Sequence, residues 1–308
     1  MSKVLIYSEK SHLAAELVSA ARSMNAEAVF ALSVNDDGLA ASLASMGAHV
    51  YKAADPGLQL SDIQRLAAAV SQAAEKAGAD IVLLSSNRRG KELSGRVAHL
   101  LGAGCLNDVL GLKVNGTAIE CLRNSFGGAT VATQTVVTGR QVIAISPKSF
   151  EAAAEGGAGQ EENLVLNLPQ AKLALLSSSG LAADAVDLEA AEVIVAIGLG
   201  ADADDLKDAE ELAAALGGAV GCSKPVATDR KLLPEDRLIG LSGNKCKPDL
   251  AVMLGISGQV QFMVGIREAK TIVSINIDEN ANMMQMADYR LVGKIKDVLP
   301  ELVRAVKG

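Results

Sequence analysis

Tryptophan is absent from this 308-residue sequence, and aromatic residues make up only 2% of it. Its core must therefore be built from Ala, Val, Leu and Ile, which suits parallel strands covered on both faces by alanine-rich helices. Histidine occurs only at His12, His49 and His99, and the cysteines Cys105, Cys121, Cys222 and Cys246 form no CxxC and no Cys/His group. No zinc or haem site can be read from them, and reduced, mostly buried thiols are expected. Cys246 alone, flanked by Lys245 and Lys247, reads as an exposed thiol. Basic residues never cluster beyond a pair such as Arg88 and Arg89, and the formal net charge is −7, so no nucleic-acid partner is expected. Mean hydropathy is +0.26, yet the longest uncharged stretch, residues 250–266, is broken by glycines, Ser257, Gln259 and Gln261. It cannot cross a bilayer as a regular apolar helix, so no membrane insertion is expected. The opening MSKVLIYSEK runs into a strand pattern with no signal-peptide core, which predicts an unexported, cytoplasmic protein.

What the chain does have is rhythm. Apolar runs at residues 3–8, 28–34, 49–52 and 80–86 alternate with helical periodicity at 11–24, 38–46 and 62–76, and the turn at 87–90 leads into a fourth helix reaching about Leu101. This β-α-β order predicts a mainly parallel sheet. Short β-rich runs at 111–114, 118–123, 129–135 and 141–145 read as hairpins closing one side of the domain, and 150–163 as a flexible surface segment. Further strands are expected at 163–168 and 173–177. A second rhythm follows: strands at 193–197, 219–222, 250–255 and 271–277, with helices at 204–216, 259–269 and 298–306. The expected fold class is α/β, with two domains, 1–183 and 184–308. Each carries a mainly parallel sheet flanked by helices, and the C-terminal one is doubly wound.

Reactive material is scarce. In the first half, the turns Ser8-Glu9-Lys10-Ser11 and Ser85-Ser86-Asn87-Arg88-Arg89-Gly90 suit anions or, equally, ordinary helix caps. The second half carries small polar turns after its strand patterns: Gly198-Leu199-Gly200, Gly221-Cys222-Ser223-Lys224, Leu241-Ser242-Gly243 and Gly255-Ile256-Ser257-Gly258. At the carboxyl ends of a doubly wound sheet, such turns let backbone amides approach phosphate oxygens. Ser257-Gly258 ahead of a helix suits a pyrophosphate. Neither GxGxxG nor GxxxxGK[ST] occurs.

The runs ELAAALGGAVGCSKPVAT, RLIGLSGNKCKPDLAVMLGISGQVQFMVGI and KTIVSINIDENANMMQMADYRLVG resemble the alpha subunit of electron transfer flavoproteins, as does LLSSNRRGKELSGRVAHLLGAGCLNDV in the first half. The resemblance spans essentially the whole chain. It implies that the C-terminal domain is FAD-binding and that the chain is an electron carrier with no catalytic residues of its own. It also implies a beta-subunit partner carrying AMP or a second FAD, and an acyl-CoA dehydrogenase-like donor or acceptor. The implied cofactor residues are Ser223, Lys224, Ile239, Gly240, Leu241, Ser242, Gly243, Ser257, Gly258, Gln259, Val260, Gln261, Phe262, Asn276 and Asp288. Asn276 and Asp288 correspond to the adenosine side. Leu199 and Leu241 stand where the family has Arg and Gln, and Phe262 replaces a His facing the flavin. Lys224 replaces an Arg, keeping the charge but losing the planar fork. A flavin-free or nucleotide-binding pseudo-subunit serving as an assembly scaffold is the alternative reading. A self-sufficient oxidoreductase finds no constellation of acid, base and nucleophile to support it.

Overall fold

The computed structural model of the chain describes residues 2–116, 118–128, 130–177 and 186–308. It divides into two compact units, Met1–Ser179 and Gly180–Gly308. The domain boundary expected between residues 183 and 184 lies outside the described residues.

The first unit begins with the expected alternation: β1 (Lys3–Tyr7), α1 (Ser11–Ser23), β2 (Ala28–Val34), α2 (Asp37–Ser45), β3 (His49–Ala53), α3 (Ile63–Ala77), β4 (Ile81–Ser85) and α4 (Arg88–Leu101). It continues as β5 (Gly104–Asn115), β6 (Ala118–Ser125), β7 (Thr130–Thr135), β8 (Gln141–Ile145) and β9 (Gln160–Asn163). Asp36, Asp62 and Asn87 accept from the first-turn amides of Leu39, Arg65 and Gly90, which fixes where α2, α3 and α4 start. Among the described residues the sheet order is β7-β6-β5-β8-β4-β1-β2-β3-β9. From β1 the chain steps one way to β2 and β3, then crosses back to β4 on the other side of β1. Right-handed crossovers therefore put α1 and α2 on one face and α3 and α4 on the other. Val4 and Ile6 enter the core beneath α1 and α2, while Leu5 and Tyr7 enter the core beneath α3 and α4.

Three details depart from expectation. The β-rich stretch is not a plain series of hairpins: β5, β6 and β7 are antiparallel, but β8 runs parallel between β4 and β5. Next, the segment expected to be loose ends in β9, which pairs parallel with β3. Its sequence, Gln-Glu-Glu-Asn, has no apolar signal, and an ion pair from Lys52 to Glu161 (3.2 Å) and a hydrogen bond between His49 and Glu162 (3.1 Å) hold it. Finally, no strand forms at 164–168 or 173–177. Leu164, Leu166 and Leu168 do pack on the core at period two. The backbone at Asn167, however, exchanges hydrogen bonds with the side chain of Gln72 (2.8 and 2.7 Å) instead of with a strand.

The second unit comprises β10 (Val193–Ile197), α5 (Ala203–Ala215), β11 (Ala219–Cys222), α6 (Lys224–Thr228) and β12 (Leu250–Leu254). After these come α7 (Val260–Met263), β13 (Thr271–Asn276), α8 (Asn282–Met286), β14 (Tyr289–Val292) and α9 (Ile295–Lys307). All of its strand pairs are parallel, in the order β11-β10-β12-β13-β14. The helix expected over 259–269 reduces to the single turn of α7. Beyond it, Gly265 lies flat against the Gly240 backbone, where a Cβ would meet the Gly240 nitrogen at 2.4 Å. Cys246 is buried, not exposed as its lysine neighbours suggested. No helix among the described residues is long and apolar enough to cross a membrane.

Candidate functional site

The strand order of the second unit reverses at β10, with β11 on one side and β12 on the other. Doubly wound sheets bind ligands beyond the carboxyl ends of their strands at such a switch point. The loops leaving β10 and β12 meet there backbone to backbone. The Gly200 amide donates to the Gly255 carbonyl (3.1 Å), and a Cβ on Gly198 would lie 2.3 Å from that oxygen.

Further bonds gather the other turns at the same end. The amide of Ser223, the residue after β11, donates to Ile197 O (3.0 Å), and the Ile239 amide donates to Cys222 O (2.9 Å). The Leu241 amide reaches Gln261 O (2.7 Å), joining the 239–243 turn to α7. Asn244, which sequence reasoning did not single out, pins this turn. Its Nδ2 donates to Asp236 O (2.6 Å) and Leu238 O (2.9 Å), and its carbonyl accepts from the Gly240 amide (3.1 Å). An Asn directly after a Gly-Leu-Ser-Gly turn was the available signal, since short amide side chains close such turns.

Gly258 has φ +79°, and a Cβ there would lie 2.1 Å from the Met283 nitrogen, so only glycine lets the loop pass α8. The consequence is a row of free donors. The amides of Ser257, Gly258, Gln259, Val260 and Gln261 donate to no acceptor among the described residues. Ser242, Ser257, Gln259 and Gln261 stand exposed beside them. Consecutive unpartnered amides at a strand-to-helix turn form an anion cradle. Lys224, exposed at the start of α6, forms no ion pair among the described residues.

Not every expected residue arrives there. Asp288 lies at the amino end of the sheet, where its carboxylate accepts from the Ile272 amide (2.8 Å) at the start of β13. Parallel strands put the two ends of the sheet apart, so Asp288 is corrected from a cofactor contact to a strand-entry cap. Phe262 is 7% exposed and packs with Ile239, Ile256 and Met283 in the core. Its ring is a core group, not a wall of the site, because an apolar side chain gains by leaving water. Asn276 is 8% exposed and already engaged, donating to Ile256 O (3.0 Å) and accepting from the Asp278 amide (3.1 Å). It orients the loop that carries the free amides. Ile239 is likewise buried in the core. Burial pushes the Cys222 thiol up to about 12, so it stays protonated next to the site. Among the described residues no group of three or more His, Cys, Asp or Glu is placed to hold a metal ion.

Residues 7–171 match the electron transfer flavoprotein domain, and residues 187–267 match the electron transfer flavoprotein FAD-binding domain. The chain belongs to the electron transfer flavoprotein family. Protein FixB of Escherichia coli O157:H7 is 30% identical over 310 residues, covering 99% of this chain and 98% of the relative. Protein FixB of E. coli O17:K52:H18 is 31% identical and that of Shigella flexneri 30%, each over the same shares. The chain is thus an alpha-type subunit and an electron carrier, and FAD is the cofactor of its second unit. The residues present fit that group: a dinucleotide needs an anion cradle for its pyrophosphate, and the free amides beside Gly258 supply one.

Proposed function

We propose that the loops beyond β10, β11 and β12 hold FAD, with its pyrophosphate on the free amides of residues 257–261. That row of unpartnered donors is the observation that carries the reading. Ser257, Gln259 and Gln261 add side-chain donors and acceptors along the phosphates, and Val260 presents an exposed apolar edge. The turn of Gly240, Leu241, Ser242 and Gly243, together with Ser223 and Lys224, borders the flavin ring. Asn276 and Asn244 act by positioning these loops. Bound FAD supplies a ring that takes up electrons and gives them back.

In this reading the chain converts no substrate of its own. It works with a beta-type subunit and receives electrons from, or delivers them to, an acyl-CoA dehydrogenase-like partner in the cytoplasm. The chain expressed with such a subunit is expected to be yellow and to run as a heterodimer by light scattering. A colourless protein that cannot be reconstituted with FAD would instead favour a scaffold role. A fully active, flavin-loaded monomer would remove the need for the partner.

Lys224 is the one cation among the proposed ring-side residues. Reduction adds negative charge to the ring, so a nearby ammonium favours the reduced form. Lys224→Met is expected to lower the two-electron midpoint potential. Lys224 is exposed and solvent screens its charge. The shift should stay near 10–20 mV, or roughly 0.5–1 kcal/mol. Spectroelectrochemical titration checks this, and an unchanged potential would move Lys224 away from the ring.

A further inference from the structure

The first unit has a cavity of about 270 Å³ that the flavin reading leaves unused. It lies beyond the carboxyl ends of β1, β2 and β3, the end at which parallel α/β sheets bind ligands. Val34, Leu39, Leu58 and Leu60 form apolar walls, while Tyr7, Glu9 and Asp36 supply the polar groups. The walls are preformed. Asn35, at φ +53°, ties the loop after β3 in place: its Nδ2 donates to Asp55 O (2.8 Å) and Leu58 O (3.2 Å), and its Oδ1 accepts from the Asp55 amide (2.8 Å). Asp36 is held by the Leu39 amide (2.8 Å), and Glu9 by Arg89 (2.6 Å) and Asn87 (3.3 Å).

Tyr7 is the anomaly. It is 3% exposed and lines the cavity, yet its buried hydroxyl has no hydrogen-bond partner among the described residues. Leaving a buried hydroxyl unpaired is unfavourable, and a ligand with a matching polar atom recovers that cost. Burial also holds the phenol well above its ordinary range, so it stays a neutral donor and acceptor.

We propose that this cavity binds a nucleoside, its flat base between the aliphatic walls and on the Tyr7 hydroxyl, and its ribose hydroxyls on the carboxylates. The volume limits the ligand to a small molecule, and the four aliphatic side chains suit a heterocycle. Asp36 stands two residues past the end of β2, near the place where dinucleotide-binding folds put an acid for ribose hydroxyls. Among the described residues no Lys or Arg lines the cavity, whereas two carboxylates do. A phosphate is therefore disfavoured, and the class is the nucleoside rather than the nucleotide.

The test is equilibrium dialysis of labelled adenosine against the full-length, flavin-loaded chain. One equivalent should bind, AMP should bind several-fold more weakly, and the flavin spectrum should not change. Tyr7→Phe removes a hydroxyl without a partner among the described residues, so the fold should keep or gain thermal stability while adenosine affinity falls roughly tenfold. Leu39→Trp fills the cavity from α2 and should abolish binding with flavin content intact. Absence of binding at millimolar adenosine, equal affinity in both variants, or a preference for AMP would each overturn the proposal. Because the readout is adenosine at constant flavin content, its failure is separate from any failure of the FAD assignment.

Discussion

Gly258→Val is expected to yield a colourless protein whose second unit is destabilised by roughly 2–4 kcal/mol, from backbone strain and displaced packing. Two independent effects add. At φ +79° a β-branched residue is strained wherever there is room, and here there is none, because the new Cβ would lie 2.1 Å from the Met283 nitrogen and 2.7 Å from its Cα. These are backbone atoms of α8, so relief requires the loop to move away from α8. The amides of residues 257–261 then lose their common aim, and the anion cradle goes with them. Flavin absorbance per chain and thermal unfolding followed by circular dichroism measure the two effects. A variant that purifies with full flavin would show that the pyrophosphate lies elsewhere.

Gln259→Pro separates cofactor binding from folding. Gln259 has φ −63° and ψ 147°, values proline adopts without strain. Its amide gives up no bond to any described residue, and the preceding Gly258 offers no Cβ to the new ring. Stability should thus hold within about 0.5 kcal/mol, as for a compatible proline substitution. The cradle, however, loses one N–H aimed at a charged phosphate, a bond worth about 1.5–3 kcal/mol. Affinity for FAD should fall roughly tenfold to a hundredfold. Fluorescence titration of the apoprotein with FAD reads the change, and unaltered affinity would remove the Gln259 amide from the cofactor.

The parallel cores were legible because their strands are written as unbroken apolar runs, such as Val4–Tyr7 or Ile194–Ile197, between helices with plain caps. The turns gathered at the carboxyl end of the second sheet were legible too, as Gly- and Ser-bearing runs directly after strand patterns, although ordinary structural turns use the same residues. What escaped was set by contacts between distant residues. The strand β9 is polar and exists because β3 offers an edge with Lys52 and His49 to pair its glutamates. Leu164, Leu166 and Leu168 carry a strand's period, but Gln72 occupies the backbone bonds that a neighbouring strand would need. Phe262 and Asp288 show the limit of reading roles by alignment. Both sit in recognisable runs, yet one side chain turns into the core and the other caps the opposite end of the sheet. The free amides of 257–261 were visible only as a Gly-Ile-Ser-Gly turn, because a sequence does not state which donors lack acceptors.

The position of β8 has a consequence for how the chain is made. Strands β4 and β5 bond to opposite sides of β8, which is translated only after the intervening meander. Until residue 145 has left the ribosome, the nascent first unit presents two unpaired apolar edges with nothing to bridge them. Such edges template association between chains. A nascent chain stalled with β5 outside the ribosome and β8 still inside it should accordingly display a sticky intermediate, and chaperone capture in a ribosome-profiling experiment should peak over that interval and drop once β8 emerges.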